Sequence, residues 1–225
     1  MRNLRVITSL ALIGCGLGLA NTATADVVLL TQERSATAFN GTTTRSSSAA
    51  GFSDFSANRL FYQSGLNGYW NGAAQYSTFL PDGSTGTGQS IYAEGSVRSE
   101  AFGTFMPTTT WTASTVFKTS FQVGSTSQFI NLFVSTNASG SGSVMASLKQ
   151  GSSTLWTLTG AGNENVVRTL SAGTYTLELT AASSLDSAGL GGDALFQIGV
   201  GFSAVPGPSA LCMVALSAFL RRRRT

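Results

Sequence analysis

Four large apolar side chains, Phe196, Ile198, Val200 and Phe202, alternate with Gln197, Gly199, Gly201 and Ser203. Residues two apart on an extended chain share a face, so this stretch buries one whole side only as a half-buried β-strand. The same period runs through Tyr175, Leu177 and Leu179 against Thr176, Glu178 and Thr180, and through Phe117, Thr119, Phe121 and Val123. Val166–Leu170 precedes the Tyr175 strand, and Ser171-Ala172-Gly173 between them has the length and composition of a hairpin turn. A second hairpin is predicted from Val144–Leu148 to Leu155–Leu158 through Lys149-Gln150-Gly151-Ser152. Phe129–Val134 reads as a continuous apolar run and predicts a buried central strand. Ile91–Arg98, Leu60–Tyr62 and Gln75–Leu80 supply further strand candidates, and no helical stripe appears between the two ends of the chain. Many short strands separated by Gly, Ser, Thr and Asn imply an all-β, antiparallel β-sandwich, jelly-roll-like, over residues 26–203. Its start is expected to be irregular, because residues 35–58 are rich in Ser, Thr, Ala and Gly, and Pro81–Gly88 is expected to be a loop.

Composition removes several kinds of chemistry. The 225 residues contain no His and only 10% charged side chains. Without imidazole there is no His-based triad, histidine zinc site or histidine general base. The formal charge of +3 comes from the ends: Arg2, Arg5 and Arg221–Arg224 lie outside residues 26–208, where seven basic residues face ten acidic ones, a net −3. A body without a basic excess has little with which to neutralise phosphates, so nucleic acid is not an expected partner. Both cysteines, Cys15 and Cys212, also lie in the terminal segments, leaving a body that must rely on its apolar core.

Residues 1–25 have the features of a secretory signal. Arg2 and Arg5 precede an apolar stretch from Val6 to Ala20, and Ala23-Thr24-Ala25 provides the small-x-small pattern that signal peptidase requires, predicting cleavage before Asp26. An uncleaved anchor would need ~20 apolar residues. A lipoprotein signal at Leu12-Ile13-Gly14-Cys15 is the other alternative, and the apolar run continuing through Gly16–Ala20 argues against it. At the other end, Val205-Pro206-Gly207-Pro208 leads into the uncharged segment Ser209–Leu220 and then Arg221, Arg222, Arg223 and Arg224. As a helix started by Pro208, twelve residues would reach about 18 Å, short of a ~30 Å hydrocarbon core. Such a marginal transmembrane helix, stopped by cytoplasmic arginines, suits transient retention at the inner membrane.

This tail, residues 204–225, resembles the PEP-CTERM sorting domain of Gram-negative and related bacteria, with Gly207 where the commonest form of the motif has Glu. The resemblance implies export, processing by an exosortase-type enzyme, and a cell-surface or extracellular destination, often beside exopolysaccharide in biofilm matrix. It carries a sorting route and no activity. The expected function is therefore a non-enzymatic structural or adhesive protein, with carbohydrate binding as the alternative and glycoside hydrolysis as the remote one.

No catalytic motif appears in the body. Glycoside hydrolysis needs two carboxyl groups about 5–10 Å apart, and Asp54, Glu94, Glu100 and Glu178 are nominal candidates in no recognisable pattern. The serines lack a histidine, and neither Lys118 nor Lys149 completes a Ser-x-x-Lys arrangement. Asp186 and Asp193 bracket a glycine-rich connection that could wrap a structural calcium ion, although a loop kept soluble by its carboxylates is the simpler reading. No other cofactor is expected. Asn67-Gly68-Tyr69-Trp70-Asn71-Gly72 places two aromatics between Asn-Gly turns, where Tyr69 and Trp70 could stack on sugar rings with help from Tyr62, Tyr76 and Tyr92. Trp70 as a core plug is the simpler reading here as well. Trp111 and Trp156 read as core or edge residues. Asn40-Gly41-Thr42 and Asn137-Ala138-Ser139 match glycosylation sequons.

Overall fold

The computed structural model describes residues 27–80 and 90–205. Twelve strands run in chain order: β1 (Val27–Phe39), β2 (Thr44–Ala49), β3 (Phe55–Gln63), β4 (Tyr69–Leu80), β5 (Ser90–Ala101), β6 (Trp111–Val123), β7 (Gln128–Gly140), β8 (Ser143–Gln150), β9 (Ser153–Thr159), β10 (Gly162–Leu170), β11 (Gly173–Leu185) and β12 (Gly192–Ala204). They form two six-stranded antiparallel sheets. Sheet A has the order β2-β1-β6-β11-β8-β9 and sheet B the order β10-β7-β12-β5-β4-β3. The expected all-β antiparallel sandwich is present, with four strands more than the eight of a minimal jelly roll. Hairpins stay within a sheet at β1–β2, β3–β4–β5 and β8–β9, while every link from β5 to β8 and from β9 to β12 changes sheet.

Alternating burial produces the core. Ala194, Phe196, Ile198, Val200 and Phe202 of β12 meet Phe117, Phe121 and Val123 of β6 and Tyr175, Leu177 and Leu179 of β11 across the interface. Phe121 illustrates the packing: its ring stacks on Tyr175 at 5.6 Å and meets Phe202 edge-on at 5.0 Å. Gly95 of β5 is wedged between its sheet neighbour Phe196 and Thr115 of the opposite sheet. A methyl group there would sit 2.5 Å from the Phe196 ring and 2.7 Å from the Thr115 methyl, so only glycine fits.

Three expectations are corrected. Ser171-Ala172-Gly173 does not close a hairpin, because β10 pairs with β7 in sheet B whereas β11 lies between β6 and β8 in sheet A. Turn length allowed either outcome, and side-chain character decides it. β10 is exposed at most positions and suits an edge, while β11 buries every second residue and needs a central place. Phe129–Val134 is buried on one face only: Ile130, Leu132 and Val134 point inward and Phe133 is 52% exposed. The start is also more regular than expected: β1 extends over thirteen residues, burying Arg34, Ala36 and Ala38 on its inner face, and β6 pairs along it with one register shift between Leu29 and Thr31. The predicted β8–β9 hairpin is present, turning at Gly151 (φ +57°) and Ser152.

The edges β2 and β3 are sealed against each other by reciprocal arginines. Arg45 Nη1 donates to the Leu60 carbonyl of β3, and Arg59 Nε donates to the Ser46 carbonyl of β2 at 3.0 Å. Each guanidinium thus occupies a carbonyl that would otherwise invite another strand. The signal segment and most of the sorting tail, from Pro206 onward, lie outside the described residues, and with them the two flanking helices expected from the sequence. Among the described residues no helix is long and apolar enough to cross a membrane.

Candidate functional site: the outer face of sheet B

The Asn67–Gly72 motif divides between a turn and a strand. Asn67-Gly68 closes the β3–β4 hairpin, and Asn67 Oδ1 accepts hydrogen bonds from the Thr104 backbone N–H at 3.1 Å and the Thr104 hydroxyl at 2.8 Å. Tyr69 and Trp70 are the first two residues of β4, so they point to opposite faces. Tyr69 turns inward, with its ring 4.7 Å from Trp111 and 4.8 Å from Phe105, in a small apolar cluster with Ala38, Phe61 and Leu185. Trp70 turns outward and is half-buried. The two rings therefore cannot share one ligand face, and Trp70 is not the core plug that the simpler reading assigned to it. Trp111 and Trp156 are buried, as anticipated.

Around Trp70 the structure assembles residues from three strands. Tyr62, its partner across β3, meets the indole edge-on at 5.2 Å. The Arg98 guanidinium of β5 lies 5.9 Å from the Trp70 ring and pairs with Glu100. Further along β4, Tyr76 stands 6.1 Å from Tyr92 of β5. The Tyr92 hydroxyl donates to Glu94 Oε2 at 2.7 Å and accepts from Gln197 Nε2 at 2.6 Å. Desolvation, with the adjacent Glu94 carboxylate also contributing, raises the Tyr92 phenol above its ordinary value.

Between these aromatic pairs the sheet surface is low. Two adjoining depressions of about 590 and 530 Å³ share Asn58, Ala74, Ser96 and Leu195, and together form one trough. Trp70 and Arg98 border it at one end, and Tyr76, Glu94 and Gln197 at the other. A third depression, of about 370 Å³, continues the face between Tyr92 and the exposed Phe133. The outer face of sheet A differs: it presents hydroxyls such as Thr112, Ser114 and Thr180 and the Lys149–Glu178 ion pair at 2.9 Å.

Tyr62, Tyr76 and Tyr92 thus share the outer face with Trp70. The sequence reading missed Arg98, Gln197 and Leu195. The signal was available in β5, where Tyr92, Glu94, Ser96, Arg98 and Glu100 have the same parity and so the same face. The nominal carboxylates do not converge. Glu94 and Glu100 stand six residues apart on one strand, about 20 Å, while Glu178 lies on the other sheet with Lys149. Asp54 is in the β2–β3 link.

Asp186 and Asp193 make separate hydrogen bonds. Asp186 Oδ1 accepts from the backbone N–H of Ala188 at 2.9 Å and of Leu190 at 2.8 Å, capping its own loop. Asp193 Oδ1 accepts from the Ser139 hydroxyl at 2.5 Å on the neighbouring strand. Among the described residues no three acidic or sulfur side chains gather as a metal site would require. Of the sequon asparagines, Asn40 uses its side chain to accept from Thr42 and Thr43, whereas Asn137 is exposed on β7.

No protein-family model matches the chain, and no curated protein matches it. Among solved structures it is similar to a carbohydrate-binding module, CBM36, in complex with calcium and xylotriose, at 16% identity and a TM-score of 0.22. The alignment covers 67% of this chain and 99% of that one.

Proposed function

We propose that this protein is a non-enzymatic, exported β-sandwich that holds a polysaccharide chain on the outer face of sheet B. The observation that carries this reading is the Trp70–Tyr62 and Tyr76–Tyr92 pairs at the two ends of one open trough, with the polar groups of Asn58, Ser96 and Gln197 among them. Sugar rings have apolar C–H faces that stack on aromatics and hydroxyls that need hydrogen-bond partners, and this face offers both. The same trough supports a jelly-roll-like module whose ligand face is a sheet rather than a loop.

Trp70 is the natural reporter, because Trp111 and Trp156 are buried. Titration with matrix polysaccharides is expected to give a saturable change in tryptophan emission. Burying one aromatic face is worth about 1.5–3 kcal/mol, so Trp70→Ala is expected to weaken binding roughly ten- to hundredfold. No saturable response to any polysaccharide would remove the reading.

The route outward is proposed from the two termini: signal peptidase cleavage after Ala25, brief inner-membrane retention, then exosortase-type processing near Val205-Pro206-Gly207-Pro208 and release to the surface or matrix. Intact-mass measurement of the extracellular protein is expected to show a chain beginning at Asp26 and lacking Arg221–Arg224. A mature product retaining those arginines would count against the sorting route while leaving the glycan face untouched.

A further inference from the structure

We infer that the trough on sheet B selects a long, uncharged polysaccharide, with one chain bridging the two aromatic pairs. This rests on the carbohydrate reading above and specifies its ligand class. Trp70 and Tyr76 lie on the same face of β4, six residues apart, which is about 20 Å along a strand. The outward positions between them on β4 are Gly72 and Ala74, and Ser96 and Asn58 flank Ala74 on β5 and β3. Gly72 lies beneath Leu60 and beside Arg98, whereas around Ala74 the short side chains let the two depressions join into one trough. A sugar of one or two rings can reach one platform only. A longer chain reaches both, and its second contact is intramolecular, so affinity rises with length without any new kind of contact.

Charge sets the class of chain. Among the described residues lining the trough, Arg98 is the only cation, and it is already paired with Glu100. Glu94, Glu100 and Asp193 leave the lining net negative. A chain bearing carboxylates or sulfates would therefore meet repulsion with no free cation to receive it. Nor do the acids recruit a basic chain, because each has its own partner: the Tyr92 hydroxyl for Glu94, Arg98 for Glu100 and the Ser139 hydroxyl for Asp193. The groups left to read a ligand are neutral amides, hydroxyls and rings.

The test uses uncharged gluco-, manno-, galacto- and xylo-oligosaccharides from disaccharide to hexasaccharide, with polygalacturonate as the acidic arm, followed by calorimetry or Trp70 emission. At least one uncharged series is expected to tighten by tenfold or more from disaccharide to hexasaccharide, and polygalacturonate to bind at least tenfold more weakly than that hexasaccharide. Ala74→Phe, which raises a ring midway along the floor, is expected to abolish the length dependence. Ser96→Tyr makes the same test from β5 if Ala74→Phe folds poorly. Equal affinity for disaccharide and hexasaccharide, or polygalacturonate as the best ligand, would overturn the inference while leaving carbohydrate binding in place. No binding by any uncharged or acidic glycan would remove both.

Discussion

Arg34→Ala is expected to destabilise the sandwich by about 3–5 kcal/mol, read as a lower urea midpoint at unchanged slope. Among the described residues Arg34 is the largest fully buried side chain, and it lies inside the core, where β1 faces β4. Its Nη1 donates to the Ser53 carbonyl at 2.7 Å and to the Ser77 hydroxyl at 3.1 Å, and its Nη2 donates to the Gly51 carbonyl at 2.7 Å. The guanidinium also lies 5.3 Å from the Phe55 ring and 5.4 Å from the Phe79 ring. One side chain therefore pins the link from β2 to β3 against the sandwich interior. Burial lowers its pKa, and the nearby Asp54 charge opposes that shift. Truncation removes the donors from two carbonyls and a hydroxyl and opens a cavity between two aromatic rings. Arg34→Lys keeps the charge but loses the planar fork that reaches two carbonyls together, so a large loss is expected there too. A loss below about 1 kcal/mol for Arg34→Ala would mean that the link is held by Phe52 and Phe55 packing alone.

The second large effect is expected at Asn71. Its Nδ2 donates to the Phe39 carbonyl at 2.9 Å and the Thr112 carbonyl at 3.3 Å, and its Oδ1 accepts from the Ser99 hydroxyl at 2.8 Å. Ser99 in turn bonds Ser183 at 2.8 Å, so one buried chain links β4 and β5 of sheet B with β1, β6 and β11 of sheet A. Asn71→Leu keeps a similar volume and strips every one of these partners. Leaving a buried polar group unpaired costs about 1–3 kcal/mol, and at least two are orphaned, so a loss of roughly 2–5 kcal/mol is expected. Because Trp70 is the next residue, the chemical shift of its indole N–H gives a second readout. It is expected to move in Asn71→Leu, since β4 loses the tie that fixes its height above sheet A. An Asn71→Leu variant as stable as the parent would show the network to be dispensable.

Both predictions concern polar residues at inward positions, where the sequence misleads. On β4 the inward series is Asn71, Ala73, Gln75, Ser77 and Phe79, mostly polar in a strand that packs against the opposite sheet. Hydrophobic alternation cannot identify such a strand's buried face, so the same reading could not tell that Trp70, Tyr76 and Ala74 form the open one. Where the inward series is apolar, as in β6, β11 and β12, the face was plain from the residues alone. The candidate site on sheet B was legible only as a set of aromatics, because their gathering depends on β3, β4 and β5 being neighbours in register.

The amino-acid sequence by itself determined that the chain forms antiparallel strands with one greasy side, because period-two alternation leaves no other way to bury Phe117 or Ile198. It also determined that histidine chemistry is unavailable. Which strands share a sheet, and therefore whether residues 170–175 turn back or cross over, belonged to the tertiary structure, since a short link permits both and only the burial demands of β10 and β11 choose. The orientation of Trp70 belonged there too: adjacent residues on a strand must face opposite ways, and the pull of Trp111 and Phe105 on Tyr69 sends the indole outward.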